Sequence, residues 1–286
     1  MDTQFWVIQA FNGVSYGALL FLLASGLSLI FGVMRIVNLA HGSFFLLGGY
    51  VALTVIWTTG SWLLALPVAA LVIAVVGLLM ERVFLRPLGF DPLRQVLLSV
   101  GFAYLFQQAA LDIWGGDNLD IVPPGMLKET AVIGGFHFPM YRVFMIGMAL
   151  VMGLILWITM EKTRIGAMIR ATVDDAEMAR GVGIDTSRVS MFIFALGAFL
   201  AGLGGVIGGA FLGVYPGLDF AILPIAFAVV IIGGMGSLAG AAVGSLLVGL
   251  ADNFGKALFP EISYFTLYAP MVLILALKPT GLFGRE

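Results

Sequence analysis

A succession of apolar stretches limits this chain to one kind of fold. They cover residues 11–33, 39–57, 62–84, 96–114, 140–160, 189–212, 220–233, 240–254 and 262–277, with short polar or glycine- and proline-containing breaks between them. Several exceed the roughly 18 residues at which an apolar run reads as a helix crossing a lipid bilayer. Charged residues make up only 10% of the chain and hydrophobic ones 61%, where soluble domains carry about 25% charged. The seventh and eighth stretches are short, and the string GGMGSLAG at 233–240 between them is either a tight turn or a broken, re-entrant helix. The expectation is an all-α polytopic transmembrane helix bundle of about eight to nine spans, with residues 1–286 as a single transmembrane domain. No basic residue precedes Arg35, so a cleavable leader is not expected. The absence of cysteine excludes disulfide and thiol chemistry, and a net charge of -2 gives no reason to expect nucleic acid as a partner.

Basic residues tell the two faces of such a bundle apart, because they concentrate in cytoplasmic loops. Alternating crossings place Arg35, Arg82, Arg86, Arg94, Lys162, Arg164, Arg170, Arg180, Arg188, Lys278 and Arg285 on one side. Lys128, Arg142 and Lys256 fall on the other, a division of eleven against three among the 14 basic residues. The layout that follows has the N-terminus and Asp2 outside and the C-terminus in the cytoplasm. Residues 115–139 form the largest external loop.

One cytoplasmic segment, 161–190, departs from the rest of the chain. It holds five of the 14 basic residues and five of the 16 acidic ones in about a tenth of the length. Its pattern reads as ordered. Asp174 with Glu177 and Thr172 with Asp175 have the spacing of helix N-terminal caps. Arg180 suits a helix C-terminus, and Gly181 or Gly183 suits its termination. Two short helices are expected, near 165–171 and 174–180, with the small Ala171, Ala176 and Ala179 leaving room for a partner's surface. The segment reads as a docking site on a soluble protein.

Chemistry of the chain's own is not indicated. A phosphate-cradling loop needs the form GxxxxGK[ST]. The nearest approach, at Gly255 and Lys256, has Leu250 in place of the first glycine and Ala257 in place of the hydroxyl. The two histidines, His41 and His137, lack metal-ligand spacing. The expectation is therefore no enzyme activity, no catalytic residue, no cofactor and no metal. A carrier coupled to an ion gradient usually holds acidic residues or histidine inside the membrane. Here Asp112 and Asp252 sit toward helix ends, which leaves His41 as the exception. It either lines a substrate path or hydrogen-bonds to backbone where a helix breaks at 35–38. Asn12, Ser15, Gln107 and Gln108 are uncharged polar residues within apolar stretches, suited either to a substrate path, along with Asn38 and His41, or to hydrogen bonds between helices. Glycines at four-residue spacing, such as Gly13 with Gly17, Gly205 with Gly209 and Gly240 with Gly244, allow close helix packing, within one chain in the simplest case.

The string TRIGAMIRATVDDAEMARGVGID at 163–185 resembles the cytoplasmic coupling segment of branched-chain amino acid ABC transporter permeases. GLSLIFGVMRIVNLAHGSFFLLGGY at 26–50, FALGAFLAGLGGV at 194–206 and GGMGSLAGAAVG at 233–244 are similar to the same family in the same order. The chain is identified as a member on these strings, and it resembles the shorter of that family's two permease subunits. The resemblance implies an importer in a bacterial inner membrane, in which this chain pairs with a second, longer permease. Two cytoplasmic ATPase subunits dock beneath, and an external binding protein delivers the substrate. It implies that Arg164, Gly166, Arg170, Ala171, Ala179, Gly183 and Ile184 belong to the coupling element, joined there by the cap residues Asp174 and Glu177. Asn38, His41 and Gly42 fall in the family's N-terminal motif. Branched-chain or other amino acids are the implied cargo, while urea or short amides and aromatic or other carboxylates stay open, as does an ion-coupled carrier.

Overall fold

The structure, a computed structural model, describes residues 3–89 and 91–284; the terminal Asp2 and Arg285 used in the charge argument lie outside them. Each of the nine apolar stretches is a helix. In chain order the elements are α1 (Thr3–Met34), α2 (His41–Thr59), α3 (Trp62–Leu79), α4 (Pro92–Trp114), a short α5 (Gly125–Lys128), strands β1 (Thr130–Ile133) and β2 (Phe136–Pro139), and α6 (Met140–Lys162). Then come α7 (Arg164–Asp174), α8 (Ala176–Gly181), α9 (Thr186–Leu212), α10 (Leu218–Gly233), α11 (Leu238–Leu258) and α12 (Ser263–Leu277). Among the described residues, seven helices are long and apolar enough to cross a membrane, and two apolar ones are shorter. The eighth stretch, expected to be short, is the 21-residue α11. The ninth is the 15-residue α12.

Local chemistry sets most boundaries. Ser61, Asp91, Thr163, Asp175, Asp185 and Ser237 each accept a backbone N–H at the start of a helix. Beyond Leu79, α3 continues as a π-helical turn to Leu85 and stops at Arg86–Leu88, where Pro87 cannot extend it. The string at 233–240 is a tight turn between α10 and α11, with Gly234 at φ 99° and Gly236 at φ 84°, so it is not a re-entrant break. The C-terminal tail covers this turn through backbone hydrogen bonds from Leu282 to Ile232 (2.9 Å) and from Phe283 to Gly233 (2.9 Å). The loop after α4 holds the hairpin β1–β2, paired from Thr130 with Pro139 to Ile133 with Phe136. Its two-residue turn, Gly134–Gly135, has φ of 60° and 82°, the left-handed pair that glycines favour in a hairpin, a signal the sequence reading of this loop did not use.

Glycine seams close the core. A Cβ on Gly26 would strike the backbone of Gly197, one on Gly48 the backbone of Gly202, and one on Gly17 the carbonyl of Ser245. Helix axes therefore approach more closely than any larger residue permits, which is how helices associate where no hydrophobic force draws them together. These contacts lie within one chain, as the simplest reading of the glycines had it.

Two breaks repeat in inverted sense. The long α1 ends in a non-helical segment, 35–40, followed by the shorter α2, and the long α9 ends in 213–217, followed by α10. Helices α1 and α9 run antiparallel, since Gly197 meets Gly26 while Gly208 meets Leu19. Neither break is a surface loop. His41, the first residue of α2, reaches the carbonyl of Leu23, eleven residues before the end of α1, which is about 16 Å back along that helix at 1.5 Å per residue. Phe220, on the first turn of α10, packs on Tyr104 near the midpoint of α4. Irregular backbone at such depth is tolerated only where protein buries it. Ile36, Asn38, Ala40 and Val214 are all buried. Val214 also exchanges backbone hydrogen bonds with Leu119 from the loop after α4 (2.8 and 2.9 Å).

Candidate functional site

The hydrophilic segment is helical and tied to the bundle. Helix α7 begins where Thr163 accepts the N–H of Gly166 (3.1 Å), and its buried face carries Gly166, Ile169 and Thr172, packed toward α1, α6 and α9. Gly166 lies against the last carbonyls of α6, where a Cβ would collide with those of Thr159 and Met160. Arg170 donates to the carbonyl of Met160, placing a cation at the negative end of α6. These two residues hold α7 at a fixed angle to α6.

Helix α8 is capped at both ends. Asp175, and not Asp174, is its N-terminal cap, accepting from the N–H groups of Glu177 and Met178 (both 2.9 Å). Asp174 closes α7 instead, and Thr172 turns inward to donate to the carbonyl of Met168 (2.8 Å). At the other end Gly183, at φ 88°, donates to Arg180 and Ile184 donates to Ala179 (both 3.0 Å). This is the paired bonding by which a left-handed glycine ends a helix, with Ile184 folding back over Ala179. So Gly183 is the terminator, and Gly181 is the last helical residue.

One expectation about this segment is corrected. Ala179 is only 3% exposed, so its methyl group fills a gap inside the chain and offers no surface to a partner. Ala171 and Ala176 are half-buried. What the segment shows to solvent is apolar and larger: Met178 at 67% and Val182 at 73% exposure, with Ile165 and Met168 on α7. Arg164 and Glu177 are exposed beside them. Spacing identified the helices but misjudged which face was free, because Ile184 covers Ala179 only once the chain turns at Gly183.

The polar residues expected along a substrate path divide among three places. Asn12 accepts from Arg142 on α6 (2.6 Å), and Ser15 donates to the carbonyl of Asn12 (2.8 Å), near the start of α1. Gln108 on α4 donates to Asp112 (2.8 Å) in an exposed pair, while Gln107 approaches Gly217 at the second break. Asn38 and His41 occupy the first break, both buried. Asn38 Oδ1 accepts from the N–H of Ala40 (3.1 Å), and His41 donates from Nε2 to the carbonyl of Leu23 (3.0 Å). His41 thus has the backbone hydrogen bond that a broken helix calls for. Asp252 is ion-paired with Lys256 (2.7 Å).

Asp219 was missed. The seventh span begins two residues before the expected Phe220, which brings this carboxyl group into the first turn of α10, 2% exposed. Its Oδ2 accepts from the hydroxyl of Ser43 on α2 (2.8 Å), the backbone N–H groups of Asp219 and Phe220 lie near the carboxyl group, and its Oδ1 has no side-chain partner. The Tyr50 hydroxyl lies within its electrostatic reach. Asn38 Nδ2, His41 Nδ1 and the Tyr50 hydroxyl are buried without partners as well. A neighbouring apolar cavity of about 420 Å³ is lined by Leu39, Tyr104, Phe220, Leu223, Phe227 and Tyr268, among others. The available signal was a lone acid two residues after the Pro216–Gly217 pair, at the start of an otherwise apolar stretch.

Comparison with known proteins adds a family. The family model described as the permease component of the branched-chain amino acid transport system matches residues 9–275. The LivH permease protein of the high-affinity branched-chain amino acid transport system of Escherichia coli K12 is 32% identical over 305 residues, spanning 100% of this chain and 98% of that one. The BraD permease protein of the corresponding Pseudomonas aeruginosa system is 29% identical, covering 97% of this chain and 95% of its own length. LivM, a second E. coli permease protein of that transport system, is 27% identical over 91% of this chain but only 67% of LivM. No solved structure matches.

Proposed function

The chain belongs to the family of branched-chain amino acid transport permease components, and from that premise we propose that it forms half of the translocation pathway of an ATP-driven amino acid importer. The cargo in this reading is a branched-chain amino acid. The likeness to two differently named permease proteins of one organism supports pairing with a second, longer homologue. A chain with no phosphate-binding loop in its sequence must take its energy from elsewhere, and two cytoplasmic ATPase subunits supply it. An external binding protein delivers the substrate, and lipid surrounds the bundle. The protein is placed in a bacterial inner membrane as one transmembrane domain, with its N-terminus and the 115–139 loop outside and its C-terminus in the cytoplasm. The division of basic residues supports that orientation.

The ATPases dock on α7 and α8, which transmit their closure to the bundle. Supporting this is the exposed group Ile165, Met168, Met178 and Val182 in an otherwise charged segment, an apolar surface suited to a cleft on another protein. Arg164, Glu177 and Asp174 surround the contact, while Gly166, Arg170, Ala171, Ala179, Gly183 and Ile184 keep the two helices rigid and aligned with α6. The test is reconstitution with the second permease, the ATPase pair and the binding protein in proteoliposomes. Leucine-stimulated ATP hydrolysis with leucine uptake is expected. Association with the ATPases but uptake only of urea, an amide or an aromatic carboxylate would overturn the cargo, and no association with ATPases would overturn the subunit assignment.

A further inference from the structure

We propose that Asp219 is the residue of this permease that binds the ammonium group of the passing substrate, and that Ser43 holds it ready. The inference rests on the importer reading above and gives its site a location and a ligand chemistry, an α-amino acid with an apolar side chain. A carboxyl group 2% exposed, on a helix that begins near the midpoint of α4, is costly to bury. Inside membrane proteins such groups face the bundle interior and mark substrate or ion pathways. Here the hydroxyl of Ser43 satisfies Oδ2 at 2.8 Å, while Oδ1 has no side-chain partner and only the first N–H groups of its own helix, those of Asp219 and Phe220, near the carboxyl group. An anion with one oxygen unmet by any side chain is matched by a ligand carrying N–H donors and positive charge.

The surroundings narrow that ligand. The Tyr50 hydroxyl, seven residues along α2 from Ser43 and so on the same side of that helix, is a second unpartnered group. An ammonium group offers three donors. Asn38 Nδ2, also without a partner, is a donor of the kind a substrate carboxylate accepts from. It sits at the break from which α2 starts, and the N-terminal end of a helix favours negative charge. The polar groups adjoin the apolar cavity through Leu39, next to Asn38, and Phe220, next to Asp219. Leu223, which also lines the cavity, lies beside Gly42. A volume of about 420 Å³ is within the ~300–1,000 Å³ of small-molecule sites. Its apolar lining suits a hydrocarbon side chain and excludes a charged one.

The two groups also join the breaks. Ser43 is on the first turn of α2 and Asp219 on the first turn of α10, so their hydrogen bond closes the gap between two helices that both start inside the bundle.

The test uses the complete importer in proteoliposomes with its binding protein, with leucine as the probe. It reads leucine taken up per ATP hydrolysed. Asp219→Asn keeps the size and removes the charge, and uptake per ATP is expected to fall by about ten- to a hundredfold, the range that losing a hydrogen bond to a charged group converts to. Asp219→Glu restores the charge and retains more uptake than the Asn variant. Undiminished uptake in Asp219→Asn would overturn the proposal. So would parallel loss of uptake and hydrolysis in both variants, which is the result for a residue that only pins α2 to α10. Should Asp219→Asn fail to assemble, Ser43→Ala decides. A severalfold fall in uptake per ATP supports the proposal, and an unchanged ratio overturns it. A wild-type complex that hydrolyses ATP but takes up no leucine instead refutes the branched-chain reading, and this inference falls with it.

Discussion

Removing the exposed apolar side chains of α8 should separate docking from folding. The double substitution Met178→Ala and Val182→Ala acts on side chains that are 67% and 73% exposed in the chain alone, so the bundle should insert and fold as before. At ~0.8 kcal/mol per buried methylene-sized group, truncating Met178 removes about three such groups and Val182 about two. Scaling by the exposed fraction, the part a partner can newly bury, gives roughly 1.5 and 1 kcal/mol. If an ATPase cleft covers both, affinity for the ATPase pair should weaken by about 50- to 100-fold. The assay titrates purified ATPase subunits against the permease pair and follows both association and substrate-stimulated hydrolysis. Capture of loaded binding protein on the opposite face should be unaffected. Unchanged ATPase affinity in the double variant would show that α8 is not the docking helix, and the coupling assignment would be withdrawn.

Three further outcomes are expected. Ala179→Trp, at a methyl site only 3% exposed, should overpack α8 against the chain's own turn and destabilise the segment by about 1–3 kcal/mol. Limited proteolysis would show it as cleavage within 175–185, and wild-type resistance would contradict the burial. His41→Gln keeps a side-chain donor for the Leu23 carbonyl, so an appreciable fraction of transport should survive with its pH dependence unchanged; a shifted pH optimum would point to proton transfer at this position. Single cysteines at Ser187 and Lys128, introduced into a chain with none of its own, should be labelled from opposite faces of sealed vesicles, and labelling of both from one face would refute the orientation.

The sequence by itself determined the class of fold and the positions of its helices. Apolar length acts over a few residues and can be read locally, so the helices form where those runs stand; caps were read less well, since Asp174 was expected where Asp175 accepts the first N–H groups of α8. The glycine spacings likewise announced close packing, although not that Gly26 meets Gly197 or that Gly48 meets Gly202. Depth and facing were decided only by the tertiary structure. Residues 213–217 read as an ordinary link between spans, and 35–38 as a break in a helix without a depth. Their backtracking into the bundle, which puts His41 at the level of Leu23 and Asp219 against Ser43, depends on contacts between segments 18 and 176 residues apart in sequence. Ala179 shows the same limit on a smaller scale. A small residue on a charged helix looks accessible until the chain turns at Gly183 and lays Ile184 over it. Hydropathy reports what a segment tolerates around it, whereas which neighbour arrives, and at what depth, is fixed by the packing of the whole chain.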